Sequence, residues 1–319
     1  MLPPQINNLR LPIIGAPMFL ASGPDLVLAQ CKAGLVGAFP ALNARPQEEL
    51  DRWLSRIKDE LALYREQHPN VKVGPYAVNL IVNATNTRLD NDLDTCVQHR
   101  VPIIITSLSV PTRVVESIHS YGGIVLHDVI KLRHAQKALE SNVDGLILVC
   151  NGAGGHTGVM NPFALVSEIR RFFDGPLALS GAITNGSGVL AAQAMGCDFA
   201  YMGTRFIATR ESLASRDYKE MIVASHAGGI TCTSFFSGVH ANYLTNSIRN
   251  AGLDPDNLPV SEMPKRYSRR ADGPAPWRQI WGAGQGVGNI DDIPFVAELV
   301  DRMEREYRDA LSNLRTRTQ

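Results

Sequence analysis

Short apolar runs alternate with amphipathic stretches along most of the chain. Apolar segments at 11–15, 35–38, 71–79, 101–106, 124–127, 145–149, 177–180 and 198–202 read as strands. Between them, 24–33, 46–66, 88–99, 111–121, 130–141, 161–173 and 186–195 read as helices. In the second of these, Leu50, Leu54, Ile57 and Leu61 recur at helical period and form one apolar face. Asn161-Pro162 places a capping residue before proline at the first helical position. Strands that are apolar on both faces and separated by helices indicate a parallel sheet covered on its outer side, and eight of them close a ring. The expected fold class is therefore α/β, a (β/α)8 TIM barrel. The alternative, a doubly wound open sheet, would carry a glycine-rich turn after its first strand, where this chain has Ala16-Pro17-Met18.

The regularity stops after the eighth strand. Residues 212–285 are rich in Ser, Gly, Asn, Pro and aromatic residues, with Gly273-Pro274-Ala275-Pro276 and with helix-like stretches at 218–226 and 241–251. This segment is expected to be a lid or small helical subdomain inserted on the barrel; a peripheral oligomer contact is the competing reading. Its Phe235, Phe236, His240 and Tyr243 either line an apolar pocket or form the subdomain's own core. Asp291-Asp292-Ile293-Pro294 opens a closing helix to about 311, capped by its acidic residues. The domain organisation is then a cofactor-binding barrel of residues 1–211 and 286–319 with 212–285 inserted.

Composition narrows the partners. The 319 residues carry 31 basic and 31 acidic side chains, so no charge excess attracts nucleic acid or an anionic membrane. Cysteines at 31, 96, 150, 197 and 232 have no metal or redox spacing and read as reduced structural thiols, with Cys150 near enough to a glycine-rich turn to touch a ligand. The chain begins Met-Leu-Pro-Pro-Gln without a secretory pattern, and no run is long enough to cross a bilayer, so a cytoplasmic enzyme is expected.

The strongest chemical signal is Asn151-Gly152-Ala153-Gly154-Gly155-His156-Thr157-Gly158, directly after the sixth strand. Its glycines let the backbone approach a ligand, and its lone imidazole suits proton abstraction from carbon or donation to a developing anion. The competing role for His156 is to brace the turn. Metal ligation lacks a second ligand at useful spacing. After the seventh and eighth strands, Ser180-Gly181 and Met202-Gly203-Thr204 offer open amides before helices, the recurrent phosphate site of barrels. Gly181, Gly203 and Thr204 are the expected phosphate contacts; Arg205 either neutralises the phosphate or forms an internal ion pair. Without a Walker or Rossmann pattern, a mononucleotide is the economical inference.

Those residues resemble the nitronate monooxygenase (2-nitropropane dioxygenase) family of FMN-dependent barrels. The landmarks are Gly15-Ala16-Pro17-Met18, Gly154-Gly155-His156-Thr157-Gly158, Ser180-Gly181, Met202-Gly203-Thr204-Arg205-Phe206 and Ile280-Trp281-Gly282-Ala283-Gly284-Gln285. The resemblance implies FMN as cofactor, with Ala16, Pro17 and Met18 near the flavin ring and Asn79 at its polar edge. It places Gly155, Ser180, Gly181, Gly203 and Thr204 around the cofactor, and Gly284 and Gln285 near the ring. It turns His127 towards the flavin, a satisfied core histidine being the alternative. It makes His156 the base that deprotonates neutral nitroalkanes, or a binding residue for nitronates already ionised. The implied reaction oxidises alkyl nitronates with O2 to carbonyl compounds and nitrite. An NAD(P)H-dependent quinone reductase, an enoyl-thioester reductase and a non-enzymatic flavin-binding role are the alternatives. Thr157 departs from the pattern, since arginine typically follows the histidine in nitronate enzymes. Substrate identity and a homo-oligomeric state are left open.

Overall fold

The computed structural model describes residues 2–258 and 277–317. Nine strands run to the end of the regular repeat: β1 (Ile13–Gly15), β2 (Gly37–Pro40), β3 (Tyr76–Val82), β4 (Ile103–Leu108), β5 (Ile124–Val129), β6 (Gly145–Val149), β7 (Gly155–His156), β8 (Leu177–Ser180) and β9 (Phe199–Met202). All but β7 pair in parallel in the order β1-β9-β8-β6-β5-β4-β3-β2. The ring closes between its ends, where Ile14 bridges Val36 and Gly15 N–H donates to the Val36 carbonyl at 2.8 Å. The fold is the expected (β/α)8 barrel.

Helices α1 (Pro24–Lys32), α2 (Glu49–Gln67), α3 (Leu89–Gln98), α4 (Thr112–His119), α5 (Leu132–Leu139), α6 (Pro162–Arg170) and α7 (Gly186–Ala194) sheathe the ring. The apolar stripe of α2 is buried as the spacing predicts, at Leu50, Leu54, Ile57 and Leu61. Asn161 caps α6 by accepting from Phe163 N–H at 2.9 Å, with Pro162 at the first helical position. Side-chain alternation separates two cores. Ile14, Val36, Ala77, Ile103, Ile105, Ile124, Leu126, Ile147 and Tyr201 fill the barrel, while Val78, Ile104, Val125, Val129 and Leu148 meet the helices.

Strand bounds differ from the sequence expectation at several places, β4 running on to Leu108 and β5 to Val129. The strand expected at 71–79 starts at Tyr76, because Gly74 packs beneath the Leu35 carbonyl and Pro75 has no N–H for a ladder. Expected at 35–38, β2 spans Gly37–Pro40, although Val36 still closes the ring.

Beyond β9 come α8 (Thr204–Ile207), α9 (Arg216–Val223), β10 (Ile230–Thr233), β11 (Ala241–Leu244) and α10 (Thr245–Asn250). The stretch expected as one helix at 241–251 is therefore a strand followed by a short helix. Ala241–Leu244 pairs antiparallel with β10 on one side and with β7 on the other, a tertiary pairing that overrides local helical spacing. Phe235, Phe236 and Tyr243 are buried together with Ile248 and Ile280 and stack edge to face, so they form the segment's core; His240 is exposed. Residues 259–276 of the 212–285 segment, Gly273 to Pro276 among them, lie outside the described residues.

The closing helix α11 (Val296–Arg317) starts later than expected and is not capped by Asp291 or Asp292. Phe295 N–H donates to Glu298 at 3.1 Å and Val296 N–H to Glu211 at 2.9 Å. Asp292 instead pairs with Arg302 at 2.9 Å and with the buried Arg205 at 3.1 Å. Among the described residues, no helix is long and apolar enough to cross a membrane.

α11 docks on α7 through a contact that only glycine permits. A Cβ on Gly186 would lie 2.1 Å from the Met303 carbonyl oxygen and 2.4 Å from the Tyr307 nitrogen, both backbone atoms. Gly186→Ala is expected to lower unfolding free energy by about 1–3 kcal/mol in urea titration, the usual cost of overpacking. Gly229→Ala, where a Cβ would meet nothing within 4 Å, should leave the midpoint unchanged. Equal midpoints for both variants would contradict this account of the helix seam.

Candidate active site

The loop leaving β1 carries Ala16, Pro17 and Met18, all partly exposed at the barrel mouth. Ala16 N–H donates to the Met202 carbonyl at 2.8 Å, holding the loop to the end of β9. Asn43 clamps its far side: Nδ2 donates to the Met18 and Ser22 carbonyls at 3.0 and 2.8 Å, and Oδ1 accepts from Leu20 N–H at 2.9 Å. A Cβ on Gly203 would sit 3.4 Å from Met18 Sδ and 3.5 Å from Ala16 Cβ, so the turns after β1 and β9 adjoin.

The glycine-rich turn after β6 joins two others through one atom. The Gly152 carbonyl accepts from Ala182 N–H at 3.2 Å and from Gln285 N–H at 2.9 Å. A Cβ on Gly284 would lie 2.5 Å from that same oxygen, so the late segment must be glycine there. Gly284 N–H in turn donates to Thr204 Oγ1 at 2.9 Å, which brings in the turn after β9. Gly155, Ser180, Gly181, Gly203, Thr204, Gly284 and Gln285 thus lie in turns bound into one cluster or directly adjoining it. Arg205 is not a free cation beside them, since its guanidinium is engaged by Asp292 and the Ala208 carbonyl.

His156 is held by the segment beyond β9. As half of β7 it pairs with Ala241, and its ring meets Trp277 edge to face at 5.3 Å between centroids. Ser237 Oγ lies 3.0 Å from Nε2 and donates to the Val239 carbonyl at 3.1 Å, leaving it an acceptor for a proton on Nε2. Burial lowers the imidazole pKa to about 4, so the ring is neutral at neutral pH. Thr157, buried, donates to the Cys150 carbonyl at 2.7 Å and closes the turn. Burial raises the Cys150 thiol to about 12, which leaves it unreactive.

His127 requires a correction. On β5 it alternates with Val125 and Val129, which pack against the helices, and it lies 2.8 Å from Thr106 Oγ1 in that same outer layer. It is a core histidine facing away from the mouth, and burial lowers its pKa to about 4. The residue facing the barrel interior at this level is its neighbour Asp128, together with Ser107 and Asn79. Asn79 Nδ2 donates to the Ile105 carbonyl at 3.1 Å and to Ser107 Oγ at 2.9 Å; Ser107 Oγ donates to Asp128 Oδ2 at 2.7 Å. Sequence reasoning picked out Asn79 but passed over Ser107 and Asp128, along with Asn43, Ser237 and Trp277. Period-two counting from Ile124 and Leu126 would have placed Asp128 inside the barrel.

A sequence model of the nitronate monooxygenase family matches residues 4–306. A nitronate monooxygenase of Paraburkholderia phytofirmans is 26% identical, the alignment covering 95% of this chain and 94% of that protein. A (3aS,4S,5R,7aS)-5-hydroxy-7a-methyl-1-oxo-octahydro-1H-indene-4-carboxyl-CoA dehydrogenase of Rhodococcus jostii is 23% identical over 93% of this chain and 92% of its own length. The solved structure of a nitroalkane oxidase from Streptomyces ansochromogenes shares the fold, with a TM-score of 0.79 at 22% identity, over 97% of this chain and 99% of that one.

Both histidines, His127 buried and His156 half-buried, bind fewer protons folded than unfolded between their lowered pKa near 4 and the ordinary 6.5. Their contribution to stability is complete above about pH 6.5 and is lost as pH falls towards 4. The acid-side fall in melting temperature should therefore be shallower in His156→Gln than in the parent, and shallower again when His127→Gln is added. Parallel melting curves for the three proteins would contradict the burial assigned to these rings.

Proposed function

The chain belongs to the nitronate monooxygenase family, and on that premise we propose that it is an FMN-dependent enzyme oxidising alkyl nitronates with O2 to carbonyl compounds and nitrite. The observation that carries the proposal is the joining of the turns after β6, β8 and β9 to the late 284–285 segment at the Gly152 carbonyl, beside one neutral imidazole.

The residues present suit FMN. Ala16, Pro17 and Met18 would lie against its ring, while the backbone at Gly181, Gly203 and Thr204 would hold the phosphate through N–H groups rather than an ion pair. Two orphaned buried oxygens support a bound polar group: Thr184 Oγ1 in the turn after β8 and Asp128 Oδ1 inside the mouth. When bound, FMN supplies electron acceptance and the reaction with O2. The protein's own part is positional and electrostatic. The His156 imidazole takes the proton from the carbon beside a neutral nitro group, and the imidazolium then lies against the charge left on the nitro oxygens. Ser237 and Trp277 orient the ring for that transfer. An already ionised nitronate bypasses the step.

The Rhodococcus jostii relative, named for a CoA-ester dehydrogenase, supports a second reading: a flavin oxidoreductase acting on a thioester or on a pyridine nucleotide. Reduction of the flavin separates the two. Anaerobic addition of an alkyl nitronate should bleach the yellow protein, and readmitted air should release nitrite. Bleaching by NADH or NADPH with no response to nitronate would replace the first reading by the second.

His156→Asn should slow turnover of a neutral nitroalkane by at least about 100-fold, the lower end of general-base contributions, while the preformed nitronate loses far less. Equal losses on both substrates would remove the proton-transfer role.

A further inference from the structure

The barrel interior is apolar until it nears the mouth, where β3, β4 and β5 present Asn79, Ser107 and Asp128. The direction of each hydrogen bond in this row is fixed. The Ile105 carbonyl can only accept, so the Asn79 atom facing it is Nδ2, and that group's second proton goes to Ser107 Oγ. Ser107 has one proton and gives it to Asp128 Oδ2. Oδ2 accepts there, which leaves Oδ1 as the oxygen for a proton held by Asp128. That oxygen is buried with no partner. An unsatisfied buried oxygen is costly in water-excluded surroundings, and far more so if charged.

The surroundings favour the acid form. Burial raises the Asp128 carboxyl to about 7, with the Ser107 hydrogen bond pulling the other way. From β6 the facing residue is Ile147, and from β9 it is Tyr201, whose phenol burial holds neutral. His127 points into the helix layer, where His134 on α5 acts on it. No cation among the described residues offsets the carboxylate.

We propose that Asp128 enters the site as a carboxylic acid and donates its Oδ1 proton to a hydrogen-bond acceptor on the ring of the bound flavin, so that ionisation of Asp128 weakens flavin binding. The inference rests on the flavin site proposed above. It also gives Asn79 a defined part: both its N–H groups are spent on protein, and only Oδ1 remains, an acceptor suited to the imide N–H of a flavin. Acid and amide together thus match the alternating donors and acceptors of that edge.

The test is FMN affinity of the full chain by quenching of flavin fluorescence, with Asp128→Asn and Asp128→Ala beside the parent. If only the acid form binds, parent affinity should be about 30-fold weaker at about pH 8.5 than at about pH 5.5, the fraction of binding-competent protein setting the loss. Asp128→Asn should remain tight at both, because its carbonyl accepts from Ser107 and its N–H takes the place of the Oδ1 proton; Asp128→Ala should be weak at both. The same pH dependence in parent and Asp128→Asn, or Asp128→Asn as weak as Asp128→Ala, would overturn the proposal while leaving the flavin site standing. Melting without flavin isolates the proton itself. A raised folded pKa means stability is lost as pH rises from about 4 through 7, and Asp128→Asn should lack that loss. Should this signature be present while no protein binds FMN at any pH, the flavin reading falls, and the ligand assigned to Asp128 with it.

Discussion

A single backbone oxygen holds the mouth of this barrel together. The Gly152 carbonyl takes hydrogen bonds from Ala182 and Gln285, so the turn after β6, the turn after β8 and a segment more than a hundred residues later meet at one point. Each neighbour must be slim for this to happen. Gly152 itself lies at φ +85°, and Gly284 passes too close to the oxygen to carry a side chain. Thr204 then extends the junction to the turn after β9 by accepting from Gly284 N–H. The glycines of these turns serve chain-to-chain packing first, and the surface they leave is one of open backbone.

That surface is nearly without charge. Arg205, the cation closest in sequence to the expected phosphate turn, is drawn off by Asp292. His156 is neutral because the segment beyond β9 partly covers it, and withdrawal from water inside the barrel pushes the Asp128 carboxyl towards its acid form. A site of neutral donors and acceptors suits a delocalised anion or a polar heterocycle, whose charge is met by oriented N–H groups rather than by counter-ions.

The barrel was legible because its signal is local: apolar runs, capping residues such as Asn161 and the stripe on α2 declare themselves within one element. The glycine turns at 151–158 and 180–181 were legible for the same reason. What escaped depended on partners distant in sequence. Ala241–Leu244 is a strand only because β7 and β10 flank it, 85 residues apart in the register at Ala241↔His156. Ser237 and Trp277 reach His156 through that small sheet. His127 and Asp128 were exchanged because the expected strand ended at His127, which hid the alternation that turns one outward and the other in.

The central claim is that the joined turns at the strand ends form a flavin site, and a crystal structure of the full chain with FMN tests it most directly. The account predicts the phosphate on the amides of Gly181, Gly203 and Thr204, with the ring between Ala16-Pro17-Met18 and His156. A phosphate held by arginine side chains elsewhere, or a ring bound away from the C-terminal ends of the strands, would contradict it.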